Sequence, residues 1–264
     1  MVSDWENLKG GYKVKKLCVV ATVVGLVLLA VASCATATDM KGKFGFDVQI
    51  GYAMMNITGV NEWFDFWEEF DALYGWTTES RDDLKGGMSY IGEIKYGVTS
   101  SVVLTASGGL LSSKGKYSFT GPTEGAHDDK VSATFFGGGA LFVIQRGNLD
   151  FLFGGGADYY MVKYEEDFAE DGTASERRAE GSKIGFNLRG GMMYFLTPNI
   201  ALSGKIIYRI AKLSEIETTK DDLGISAEGD PLEVATDPFF FDTKNLEIDL
   251  SGINAYVNIC FFFG

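Results

Sequence analysis

From Lys43 onward, apolar residues fall on every second position, and segments with this rhythm recur along the chain. Phe44, Phe46, Val48, Ile50 and Tyr52 alternate with Gly45, Asp47, Gln49 and Gly51. A period of two places the sets on opposite faces of an extended strand, whereas a helix would need a period near 3.6. The same rhythm predicts strands at 88–96, 102–110, 131–143, 149–159, 184–196, 200–210 and 246–263, eight in all. In the fourth, Val131, Ala133, Phe135, Leu141 and Val143 form the expected outer face. In the eighth, Leu246, Ile248 and Leu250 are even-numbered, while the apolar residues from Ile253 to Phe263 are odd-numbered. A β-bulge near Ser251–Gly252 is expected to absorb that slip.

The connections alternate as regularly as the strands. Thr99-Ser100, Arg146-Gly147-Asn148 and Thr197-Pro198-Asn199 read as tight turns, and residues 56–87, 112–130, 165–182 and 212–245 read as long polar loops. Short turns at one end and long loops at the other describe an all-β, antiparallel, up-and-down transmembrane barrel of eight strands. Tyr52, Tyr90, Tyr159 and Tyr208 fall near the long-loop ends of the apolar face, and Phe44, Tyr96, Phe151 and Tyr194 near the short-turn ends. Two aromatic girdles about 20 Å apart fit the boundaries of a membrane. A lipocalin-like barrel or a β-sandwich also alternates, but its richer apolar face points inward, where an eight-stranded barrel has little volume. Here the poorer face carries charge and glycine, so lipid belongs on the outside.

Only one long apolar run exists, 17–32, preceded by Lys13, Lys15 and Lys16 and followed by small residues. This is the form of an export signal, and at 16 residues it is short for a bilayer-spanning helix. Two processing readings stand side by side. Ala35-Thr36-Ala37 is an A-x-A cleavage site that would leave residues 38–264 as the mature barrel domain, whereas Val31-Ala32-Ser33-Cys34 resembles a lipobox that would acylate Cys34. Removing 1–37 leaves 19 basic against 34 acidic residues, a balance unsuited to nucleic acid. Cys260 is then the sole thiol, so no disulfide framework forms.

The inward face holds Asp47, Glu93, Asp158 and Asp249 against Lys95, Arg189, Lys205 and Arg209. Counting from the turns pairs Asp47 with Lys95, Asp158 with Arg189, and Glu93 with Lys205. Near-balance predicts a paired network that fills the lumen, because an unpaired buried charge costs several kcal/mol. A selective ion path is the competing reading. The runs 137–139 and 154–156 of glycine lie in mid-strand, away from the strand-to-helix junction that a phosphate loop requires. Trp63, Phe64, Phe66, Trp67, Phe70 and Tyr74 recur at helical spacing, predicting a helix of about 14 residues N-capped by Asn61. That helix is expected to cap the barrel mouth or to offer a contact surface to a lipid, partner or ligand. The remaining loops are acidic without the spacing of a calcium loop, and no metal or cofactor is expected. One histidine, His127, lies in a loop without a nucleophile motif, so catalysis is not expected.

With these features the chain resembles the small outer-membrane barrels of the OmpA-transmembrane-domain, OmpX and opacity-protein type. The resemblance covers 43–263 as architecture and includes the aromatic-ended terminal strand from Ile253 to Phe263, although Gly264 follows it here. It implies a Gram-negative outer-membrane location, with loops at the cell surface. The implied partners are membrane lipid, lipopolysaccharide, the barrel-assembly machinery and an extracellular protein or ligand. It leaves two roles open: an anchor for acidic surface loops, or a narrow passive pore.

Overall fold

The computed structural model describes residues 39–55, 57–214, 216–235 and 243–264. The expected signal at 1–37 and Cys34 lie outside the described residues. Eight antiparallel strands close into a ring: β1 (Phe44–Met54), β3 (Gly86–Gly97), β4 (Val102–Thr120), β5 (Glu124–Arg146), β6 (Leu149–Glu170), β7 (Thr173–Thr197), β8 (Ile200–Ile210) and β14 (Gly252–Phe263). Closure comes from β1, which pairs with β14 on one edge and with β3 on the other. β2 (Thr77–Asp82) and the short strands β9 (Lys212–Leu213), β10 (Glu217–Asp221), β11 (Glu233–Ala235), β12 (Thr243–Asn245) and β13 (Ile248–Asp249) lie in the connections, with α1 (Thr58–Leu73).

Alternation along β1 runs as read: Phe44, Val48, Ile50 and Tyr52 are about half exposed, while Asp47 and Gln49 are fully buried. Exposed rows of this kind surround the ring, including Ile94, Leu104, Phe153, Leu188, Ile206 and Val257. An exterior of this composition would aggregate in water and belongs in lipid.

Three readings of local detail need correction. On β5 the outward residues are Phe136, Phe142 and Ile144, while Val131, Ala133, Phe135, Leu141 and Val143 point in. This strand is apolar on both faces, so alternation alone cannot orient it. Its register does, setting Leu110 opposite Thr134 and Leu104 opposite Ala140 on the outer face. On β14 no bulge is needed, because the register against β1 and β8 is unbroken. Even positions stay inward throughout: Asn254 and Tyr256 into the lumen, and Leu246, Ile248 and Leu250 into the cap above it. Tyr194, expected exposed in the lower girdle, is buried, although it keeps its register opposite Leu202 and Leu149.

The largest correction concerns the loops. The stretches 112–130 and 165–182 are continuations of β4–β5 and β6–β7, which run on as paired hairpins to a short turn at 121–123 and a two-residue turn at Asp171–Gly172. β1, β8 and β14 have 11, 11 and 12 residues, enough for about 25–30 Å of depth at a tilt near 40°. β4 to β7 have 19 to 25 residues and overshoot that band by roughly 20–30 Å. β2 pairs with the outer part of β4, and β10 with the outer part of β7. A walled turret therefore stands on the barrel in place of loose loops.

Candidate functional site

The lumen is closed in three layers. At the short-turn end, Met40, Leu141, Leu152, Met193, Phe195 and Phe262 form an apolar plug. Above it lies the charge network. Lys95 Nζ stands 2.5 Å from Asp47 Oδ2, and Lys205 Nζ lies 3.2 Å from the same oxygen and 2.7 Å from Glu93 Oε1. Arg189 donates to Glu93 Oε2 at 2.7 Å and lies 3.6 Å from Asp158 Oδ1. All three pairs counted from the turns are present, and they merge into one neutral network of three acids and three bases. Gln49 and Asn258 donate to Asp47, and Asn187 donates to Asp158, filling acceptor positions that charge pairing leaves open. The remaining cavity here holds about 10 Å³, room for a single water.

Two residues expected in this network stand apart from it. The Arg209 guanidinium lies over the rings of Phe135 and Tyr160, at 5.9 and 5.4 Å, and donates to the Leu250 carbonyl. Cation–π contact replaces the expected carboxylate. Asp249 sits above the lumen and accepts from the Ser251 backbone N–H.

The third layer is the cap. α1 spans 16 residues from Thr58 and lies over the mouth with Trp63, Phe64 and Phe66 buried. Trp67 and Phe70 pack partly buried against the same core, and Tyr74 is exposed. The residues expected to offer an external contact surface are thus mostly turned inward. Asn61 is not the N-cap, since the helix begins one turn earlier after Ile57. Its side chain instead clamps Leu84, donating to the carbonyl and accepting from the N–H. Arg81 of β2 grips the outer face of α1 through Asp65 and Glu68.

Above the membrane band, α1 meets a buried polar cluster that the sequence reading placed in loops. Glu166 Oε1 accepts from Trp63 Nε1 at 2.9 Å and from His127 Nδ1 at 3.0 Å. Its other oxygen accepts from Arg177 and Tyr164. Burial alone would raise the Glu166 pKa, but the His127 hydrogen bond and the Arg177 charge hold it at about 2. Tyr164 also donates to Asp129, whose second oxygen is buried without a partner among the described residues. Burial, then the neighbouring Glu166 charge, pushes Asp129 well above the usual carboxylate range. A signal for this cluster existed: carrying the parity of Tyr160 and Val162 forward places Tyr164 and Glu166 inward.

The closed ring, apolar exterior and sealed interior define an eight-stranded transmembrane β-barrel protein carrying an extramembrane turret. No family model matches the sequence, and no curated protein matches it. Solved structures of similar fold include Ail, the attachment invasion locus protein of Yersinia pestis, at 14% identity, covering 85% of this chain and 100% of that one, with a TM-score of 0.36. The outer membrane protein OprG of Pseudomonas aeruginosa matches at 11% identity, covering 85% of this chain and 97% of that one, with a TM-score of 0.48. The outer membrane protease OmpT of Escherichia coli matches at 8% identity, covering 88% of this chain and 100% of that one, with a TM-score of 0.39. At these identities and scores none of them assigns an activity to this chain.

Proposed function

We propose that this is a non-enzymatic bacterial outer-membrane protein whose barrel anchors an acidic surface structure serving envelope integrity or external contacts. One observation carries the reading: four strands continue past the membrane band into a capped turret, while the lumen beneath is filled. The turret carries exposed Glu124 and Asp171 at its hairpin turns and exposed Glu228 and Asp230 on its flank, suited to a hydrated surface. Membrane lipid and lipopolysaccharide would surround the apolar exterior, the barrel-assembly machinery would insert it, and an extracellular protein or ligand would meet the turret. A narrow pore is disfavoured by the filled lumen.

The test is a barrel-only variant with the β4–β5 and β6–β7 hairpins closed by two-residue turns just above the membrane band. Cells carrying it should lose surface attachment or resistance to detergent while retaining normal amounts of inserted barrel. Unchanged attachment and unchanged resistance would refute the reading.

A further inference from the structure

The turret ends in an apolar patch. Leu73 and Tyr74, where α1 finishes, are 49% and 60% exposed. The Tyr74 ring lies 4.8 Å from that of Phe70 and 6.4 Å from that of Trp76. Trp76 stacks on Phe119 at 5.1 Å and rests against the β4–β5 turn, where a Cβ on Gly121 would lie 2.4 Å from its ring. Pro122 of the same turn is exposed. The β6–β7 turn stands alongside: the Asp171 N–H donates to the Glu124 carbonyl at 3.3 Å, and Thr123 Oγ1 donates to Glu170 Oε1 at 2.9 Å. The patch therefore sits at the outer end of both hairpins, out of reach of membrane lipid.

Its surroundings are acidic and uncompensated. Segments 68–80, 118–126 and 167–175, which build this end, contain eight acidic residues and no Lys or Arg. Arg81 pairs with Glu68, but Glu69, Glu79, Glu124, Glu170 and Asp171 have no basic partner among the described residues. The C-terminus of α1 adds its own partial negative charge, and the last turn of the helix holds no basic residue. Asp71 in that turn is buried; one oxygen accepts from Tyr117 at 2.6 Å, and the other has no partner among the described residues. Burial pushes the Asp71 carboxyl up from its ordinary value, and the Glu170 charge adds to this against the Tyr117 hydrogen bond. Every element at this end contributes negative potential, and no described residue supplies the cation that would offset it.

We propose that the turret tip, from the end of α1 to the two hairpin turns, is a docking surface for a basic segment of an extracellular protein. An apolar side chain of the partner lies on Leu73, Tyr74 and Pro122, and its Lys or Arg groups face Glu69, Glu170, Asp171 and the helix end. An exposed apolar patch marks a contact surface, tyrosine is among the residues that anchor such contacts, and the acidic rim selects the sign of the partner. This deepens the reading of the turret as a surface for external contacts and rests on it. That reading is tested in cells by the barrel-only variant, whereas a peptide titration tests the tip alone.

The experiment is fluorescence anisotropy of the full barrel in phosphatidylcholine nanodiscs, with empty discs subtracted. The probe is a short fluorescein-labelled peptide of Lys and Phe spaced by Gly. Wild type should bind it, more weakly as salt is raised. Replacing every Lys of the probe by Glu, or every Phe by Ser, should weaken binding about tenfold. Tyr74→Ala should weaken it about fivefold, as should Glu69→Gln combined with Asp171→Asn. Glu228→Gln combined with Asp230→Asn removes the same charge from the flank and should bind as wild type does. All the substituted side chains are exposed, so the fold is retained. Wild-type affinity in both tip variants would overturn the proposal. So would an equal loss in the flank variant, or equally tight binding of the peptide without Phe, since either would reduce the attraction to bulk charge.

Discussion

Glu93 shows at the scale of one residue how the lumen is held. It is 1% exposed and accepts from Lys205 and Arg189, so losing its charge leaves the buried layer with one cation in excess, Lys205 keeping only Asp47 and Arg189 only Asp158 as carboxylate partners. Glu93→Gln should therefore cost about 3–5 kcal/mol, the usual penalty for breaking a buried pair from one side, measured by urea unfolding in lipid vesicles. An unchanged midpoint would mean the network is not bearing stability. Asp129 and Glu166 make opposite contributions to pH dependence. A raised folded pKa means that the folded turret binds the Asp129 proton more tightly, so this contribution is present in full below the ordinary carboxylate range and is lost as pH rises through the raised value. Glu166, held at about 2, contributes above roughly pH 4.3 and loses that contribution as pH falls further. The turret should then melt higher at pH 5 than at pH 7, and Asp129→Asn should flatten the difference. The reporter is built in, since Trp63, Trp67 and Trp76 all lie in α1 or beside β2, so fluorescence follows the turret alone once 1–37 is removed. A wild-type turret that melts lower at pH 5 would contradict this assignment. Depth counting from the turns found Lys95 with Asp47 because short turns fix register. It missed the aromatic partners of Arg209, because Phe135 had been given the wrong face.

At the scale of elements, the helix was legible and its contacts were not. Three- and four-residue spacing from Trp63 to Tyr74 encodes a helix whatever surrounds it, but the same stripe serves equally for a cap or for a partner. What decides is the partner groove, supplied by β4 to β7 from far along the chain. The hairpin extensions were illegible for a different reason. Above the membrane the inner face of these strands stays buried but mixes Tyr117, Phe119 and Tyr164 with the polar His127, Asp129, Glu166 and Arg177, so 112–130 and 165–182 lose the apolar alternation that advertises a strand while they keep pairing. Trp63→Phe keeps the ring and removes its bond to Glu166. It should lower turret stability by about 1–3 kcal/mol, seen as loss of near-ultraviolet circular dichroism at lower temperature. Far-ultraviolet strand content, set by the barrel, should be unchanged; a joint loss of both would mean that turret and barrel unfold as one unit.

At the scale of the molecule, the eight-stranded closure was readable because lipid imposes a period of two on every wall strand, and a ring must satisfy all of them at once. The inward turn after Ile210, where Ala211, Leu213 and Ile216 are buried and β9 pairs with β13, was not readable, since leaving the wall requires no special residue, only a better-paired alternative inside. The architecture that results is a scaffold closed by an apolar plug, a neutral charge layer and a helical cap. Its central claim is that nothing passes through. The most direct test is single-channel recording of the folded, inserted protein in a planar bilayer, repeated with Arg189→Ala and Lys205→Ala. The sealed scaffold predicts a silent trace for wild type at all moderate voltages. Stable wild-type steps whose ion selectivity shifts with either substitution would contradict it and make the charge layer a path.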